Sequence, residues 1–242
     1  MAEKPMSKAE QRAAKAAEMR AAQQRRERKR RLLTIGGVVL VMAVIVVGAV
    51  VVSRLSDDPA TAGDSAYGVA IGPEDAPHEI VIYEDFLCPF CGELERQSAE
   101  QLAGLAEDGK VRVEYRPFEL LSGIGDYSMR ATNAFAVVLE EEGEEVAKRF
   151  HDLLFENQPP EDPSQFPSDD EIVALAVEAG ATEDAVRGGI EDLDQEDWVD
   201  DATRAAADAG VNSTPTVVLD GEEFRNYSDI ESLVSNLVAE VE

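Results

Sequence analysis

The chain has almost none of the residues that a disulfide- or zinc-built scaffold requires. It holds two cysteines and two histidines in 242 residues. Two cysteines permit one disulfide, so the fold must rest on a hydrophobic core rather than on covalent staples. A closed zinc site usually needs four ligands, and there is no second cysteine pair. His78 and His151 are not spaced to complete a site, so no metal is expected. Positive charge is scarce beyond the N-terminal arm. Residues 1–31 carry 11 Lys and Arg against 4 Asp and Glu, whereas the rest carries 11 against 46. The acidic part, with a net charge of −35, argues against nucleic acid as a partner there, and acidity by itself names no substrate.

Charge of either sign is missing from Leu32 to Ser53 (LLTIGGVVLVMAVIVVGAVVVS), a run of 22 residues. A helix of that length crosses the ~30 Å hydrocarbon core of a bilayer. Arg25, Arg26, Arg28, Lys29, Arg30 and Arg31 precede it; after Arg54 no Lys or Arg follows until Arg96. The asymmetry predicts a single-pass cell-membrane protein with the N-terminus cytoplasmic and the acidic part extracytoplasmic. A cleaved signal peptide is the rival reading, but its apolar region is usually ~7–15 residues, and no small-x-small site stands out. The domains expected are therefore a basic cytoplasmic tail (1–31), a transmembrane helix (32–53), an Asp-, Ala- and Pro-containing linker (54–67) and one domain over 68–242.

Within that domain, Gly68–Ile71 reads as a short edge strand and Glu79–Asp85 as a central buried strand. A helix follows with Cys91, Leu94, Ser98, Leu102 and Leu105 on one face. Val111, Val113 and Tyr115 then alternate with charged residues as a strand covered on one face. Residues 126–210 read as helices only. Among them, Ser168 to Glu171 is a capping box and Thr182 a further cap. Thr216–Leu219 is a strand, Asp220-Gly221 a hairpin turn, and Ser228 to Glu231 a second capping box before a final helix. The order βαβ, helices, ββα predicts an α/β, thioredoxin-like sheet with a helical insertion at about 126–210.

Both cysteines fall in Cys88-Pro89-Phe90-Cys91, at the junction of the central strand and its helix. Unpaired N–H groups and the positive end of the helix dipole favour a thiolate at Cys88. Pro89 suits the first helical turn, where a missing N–H costs nothing. Three readings compete. Zinc lacks ligands. A structural staple closing so small a ring stabilises little. A redox pair is the third, with Cys88 the exposed nucleophile and Cys91 its shielded, resolving partner. Phe90 beside it offers an apolar contact surface for unfolded chains, or packs inward. Thr214-Pro215 is either an ordinary loop proline or a cis proline held beside the cysteines, leaving backbone groups for an extended substrate.

YEDFLCPFC, a helix-rich stretch and GVNSTPTVVLDG, in that order, resemble the DsbA-like thioredoxin family, especially its membrane-tethered members. The resemblance implies that Cys88 is the nucleophile, Cys91 its partner, Pro215 the cis proline and Thr214 the residue before it. It further implies disulfide formation or exchange in exported thiol-containing proteins, no cofactor, and a quinone-linked membrane oxidase for reoxidation. The outer domain is expected to be monomeric. Two positions depart from the family pattern: Phe90 stands where strong oxidants often have His, and Ile82 where many relatives have a buried acid. Glu84 and Asp85 are nearby and read as readily as solvated strand-end charges as proton-transfer groups. His151, Trp198, Phe150, Leu154 and Phe155 read as structural residues. A reductase or isomerase on the same fold is the near alternative, and a non-enzymatic chaperone or binding module the more distant one.

Overall fold

The computed structural model describes residues 66–242. The basic arm, the apolar span and residues 54–65 of the linker lie outside the described residues. Among the described residues no helix is long and apolar enough to cross a membrane.

Five strands form one sheet in the order β1-β3-β2-β4-β5: β1 (Val69–Ile71), β2 (His78–Glu84), β3 (Val111–Pro117), β4 (Thr216–Leu219) and β5 (Glu222–Glu223). β2 runs parallel to β3, joined by helix α1 (Pro89–Glu107), and antiparallel to β4. The edge strand β1 pairs antiparallel with β3, as the edge strand expected at Gly68–Ile71. Between β3 and β4 lie α2 (Tyr127–Glu142), α3 (Glu144–Glu156), a 3-10 turn (Pro163–Gln165), α4 (Asp169–Glu178), α5 (Glu183–Glu191) and α6 (Glu196–Asp208). Helix α7 (Ile230–Val241) closes the domain.

The pleat of β2 divides the core. Ile80 and Ile82 enter a large cluster with Leu94, Leu102, Phe135, Phe150 and Leu237. Val81 and Tyr83 point the other way, into a smaller cluster with Phe118, Ala202, Ala206 and Val218. A strand buried on both faces has to be a near-continuous apolar run, as IVIY (residues 80–83) is. Each such aliphatic side chain contributes about 1.5–3 kcal/mol on burial. The helical insertion is thus part of both faces: α2 and α3 complete the first, α6 the second. Trp198 on α6 borders both clusters, and its Nε1 donates to the Ala66 carbonyl at 3.1 Å while its ring meets Tyr67 edge-on. Ala66 and Tyr67 therefore already belong to the domain.

Turn chemistry matches the sequence where glycine is involved. Asp220 and Gly221 both have positive φ (50° and 82°), the twist a two-residue hairpin needs. Asp220 also accepts from the Glu79 N–H and meets His78 Nδ1, both at 2.9 Å, tying the hairpin to the start of β2. The Ser168–Glu171 capping box is formed reciprocally. The last box shifts by one residue. Asp229, not Ser228, caps α7, exchanging bonds with Ser232 rather than Glu231. Asp229 reaches the Ser232 N–H at 2.8 Å, which places the helix start one residue later. Thr182 occupies the cap position of α5 without a side-chain bond.

Candidate active site

β2 ends at Glu84, and the chain turns through Asp85, Phe86 and Leu87 into Cys88, the N-cap of α1. Asp85 is what holds this turn. It is fully buried, and its carboxylate accepts from the Leu87 N–H on one oxygen and from the Leu120 and Leu121 N–H groups and the Ser128 hydroxyl on the other. All are within 2.8 Å. Of the two readings open for Glu84 and Asp85, solvated strand-end charges are excluded, because both are fully buried where the β3–α2 connection and the helical insertion close over the end of the central strand.

Pro89 occupies the first turn of α1, and the Cys91 and Gly92 N–H groups donate to the Cys88 carbonyl at 3.1 and 3.2 Å. The Thr214–Pro215 bond is cis, and it brings the Thr214 carbonyl to 3.4 Å from Cys88 Sγ, 126 positions away in sequence. Both cysteines are free thiols. Cys91 is fully buried, as its place on the apolar face of α1 requires. Cys88 is not the exposed thiol expected: it is only 4% exposed, because the Thr214–Pro215 loop lies against it. Exposure falls instead on Phe90, 64% exposed, and on Pro89.

The two thiols differ sharply in acidity. A hydrogen bond from the Cys91 thiol brings Cys88 down to about 6 against the pull of burial, helped by the Thr214 side chain and the Cys91 and Phe90 N–H groups. In the thiol form Cys88 donates to the Thr214 carbonyl, which by itself favours the proton; the several donors outweigh that single acceptor. Cys91 is pushed well above the ordinary thiol range, first by burial, then by its bond to Cys88 and by the Glu84 charge.

Behind Cys91 lies a buried polar cluster that the sequence reading did not assemble. Glu84, Glu95 and His151 are each at most 4% exposed, and a carboxylate oxygen of each Glu and an imidazole nitrogen of His151 fall within 4.8 Å of one another. His151 Nε2 meets Glu84 Oε2 at 2.8 Å, and Nδ1 meets Asp152 at 3.0 Å. Burial alone would lower His151; the bonds to Asp152 and Glu84 and the Glu84 charge raise it to about 9. Neither Glu95 oxygen has a hydrogen-bond partner among the described residues. Burial and the Glu84 charge hold its carboxyl far above the carboxylate range, so it is a neutral acid at neutral pH. One signal for this group was present: Glu95 stands four residues after Cys91, on the buried face of its own helix. A further residue with no sequence signal, Gln158, donates to the Phe86 and Cys88 carbonyls, both at 2.9 Å.

A family model described as thioredoxin matches residues 64–238. Two solved structures share 30% of their residues with the chain and cover 72% of it. One is the oxidised DsbA of Mycobacterium tuberculosis, with 92% of that chain covered and a TM-score of 0.59. The other is the reduced DsbG disulfide oxidoreductase of the same organism, with 86% covered and a TM-score of 0.60. The chain belongs to the thioredoxin family, among its DsbA-like thiol–disulfide oxidoreductases. The serine/threonine-protein kinase PknE of M. tuberculosis is also similar, 28% identical over 170 residues. That match covers 67% of this chain and 30% of the kinase's length. The thioredoxin-family reading accounts for the order of elements, with the helical insertion between the two halves of the sheet.

Proposed function

We propose that this DsbA-like protein is a membrane-anchored, extracytoplasmic oxidoreductase that introduces or exchanges disulfides in exported proteins through Cys88 and Cys91. The observation that carries the proposal is the pairing of an acidified Cys88, held beside the cis Thr214–Pro215 bond, with a fully buried Cys91 of opposite acidity.

In the oxidised enzyme a substrate thiolate attacks Cys88 Sγ. The Cys88–Cys91 bond breaks and Cys91 leaves with the electron pair, taking a proton because its buried site disfavours the anion. A second substrate thiolate attacks the substrate sulfur of the mixed disulfide, and Cys88 leaves as the stabilised thiolate. Two electrons pass from the substrate dithiol to the enzyme, and the substrate gains a disulfide. A quinone-linked membrane oxidase is the proposed acceptor that restores Cys88–Cys91. Thr214, Pro215, Pro89 and Phe90 frame the approach of an extended substrate. The anchor reading rests on Leu32–Ser53 and its basic flank.

The deciding experiment is oxidation of a reduced, unfolded dithiol protein by the preoxidised chain. Cys88→Ser should abolish disulfide formation, and reduced Cys91→Ser mixed with a disulfide-bonded substrate should accumulate a mixed disulfide on Cys88, because the thiol that resolves it in that direction is gone. Unchanged oxidation by Cys88→Ser would overturn the assignment of Cys88, and no oxidation by the preoxidised wild-type chain would favour a binding or chaperone role.

A further inference from the structure

Gln158 stands in the connection between α3 and α4, next to Pro159 and Pro160, and reaches into the active-site turn from the helical insertion. Its Nε2 lies 2.9 Å from the Phe86 carbonyl and 2.9 Å from the Cys88 carbonyl, 72 and 70 positions away. A side-chain amide has two N–H donors, and these two carbonyls use both. The planar amide therefore sets the orientation of two peptide groups that flank Leu87 and Cys88. On the opposite side Asp85 holds the same segment, accepting from the Leu87 N–H at 2.8 Å while its carbonyl takes the Cys88 N–H at 2.9 Å. The direction of Cys88 Sγ follows from these constraints, since the Cys88 backbone (φ −71°, ψ 117°) is the hinge into α1.

A second observation comes from α1 itself. Gly92 lies within the helix, where glycine costs about 1 kcal/mol relative to alanine. A Cβ there would sit 2.2 Å from Gln158 Oε1 and 2.9 Å from its Cδ. The far end of a glutamine can swing away, so alanine at this position leaves the helix intact and evicts the amide. The glycine is explained by the space that Gln158 occupies.

We propose that Gln158 is a positioning residue for the Cys88 nucleophile, acting through the Phe86 and Cys88 carbonyls, and that position 92 is glycine to admit it. The proposal rests on the reading of Cys88 as the reactive thiol. Loss of the amide frees two peptide groups to rotate, and Sγ drifts from the N–H groups of α1 and from Thr214.

The test is a double-mutant cycle on the reduced full chain, read by the pH dependence of Cys88 alkylation and thiolate absorbance. Gly92→Ala, Gln158→Ala and Gln158→Met, the last filling the same space without donors, should each move the Cys88 midpoint up by about half a unit to one unit. That is roughly three- to tenfold less thiolate well below the midpoint. Gly92→Ala combined with Gln158→Ala should shift it no further than either alone. A purely structural contact would change the unfolding midpoint and leave the thiol titration in place. Unmoved midpoints in well-folded single variants, or additive shifts in the double, overturn the proposal. A wild-type midpoint near that of an ordinary thiol would overturn the assignment of Cys88 instead, a result separable from the variants' behaviour. If Gln158→Ala fails to fold, Gln158→Met and Gly92→Ala carry the test alone.

Discussion

Replacing Cys91 with alanine should make Cys88 a much poorer thiolate, although Cys88 itself is untouched. The Cys91 thiol is the largest influence holding Cys88 at about 6 rather than 9.0. A hydrogen bond to an ionised group is worth about 1.5–3 kcal/mol, or roughly one to two pKa units. At pH 7 the wild-type Cys88 is roughly nine-tenths ionised; in Cys91→Ala the fraction falls to between about a half and a tenth. Cys91→Ser keeps an O–H donor at the same place and should retain most of the thiolate. The assay is absorbance of the thiolate against pH, with iodoacetamide rates as a second readout. The same acidity acts on stability. A thiol lowered on folding stabilises the reduced protein increasingly as pH rises from about 6 to 9, and that stabilisation disappears as pH falls through 6. Cys91→Ala should narrow this window from below. At pH 7 the preference amounts to about 1.4 kcal/mol, near 30 mV of oxidising power. Identical titrations for wild type and Cys91→Ala would refute the hydrogen-bond origin of the acidity.

Other expectations follow from neighbouring groups. Glu95→Gln should stabilise the protein at pH 8, on the order of a few kcal/mol, with little effect at pH 4. A carboxyl raised on folding loses its favourable contribution as pH climbs, so chemical denaturation at both pH values checks the sign. His151, raised to about 9, likewise stabilises fully below its unfolded value of 6.5 and loses that contribution up to 9; His151→Gln should flatten the decline over this window. Asp85→Ala leaves the Leu87, Leu120 and Leu121 N–H groups without their acceptor and should cost about 3–5 kcal/mol in urea unfolding. Phe90→His places a donor beside the thiols and should make the Cys88–Cys91 potential more oxidising, measured against glutathione.

The redox motif and the order of elements were legible because they are local. Cys88-Pro89 marks a strand-to-helix junction, IVIY a doubly buried strand, and Asp220-Gly221 a positive-φ turn; each is settled by a few adjacent residues. What sequence reading missed depends on partners far along the chain. Glu84 and Asp85 look solvated until Ser128 and His151 are folded over them. Cys88 looks exposed until Thr214 reaches it. Gln158 has no pattern of its own, because its role is defined by two carbonyls whose identity no side chain announces. The shift of the last cap from Ser228 to Asp229 shows a finer limit: adjacent oxygen-bearing side chains compete, and local geometry picks the winner.

The pairing of β2 with β4 has a consequence for how activity first arises. Tyr83 pairs with Thr216, so the strand that carries the cysteines finds this neighbour only after the whole helical insertion. Closing so long a loop delays such contacts kinetically, more than it weakens them. Cys88 reaches its Thr214 neighbour only when β4 has docked. The largest influence on the Cys88 acidity, the Cys91 thiol, lies in α1, so what an unfinished chain lacks is the Thr214–Pro215 loop that covers the nucleophile. The topology of the sheet thus puts the covering of the nucleophile last, after the helix that acidifies it.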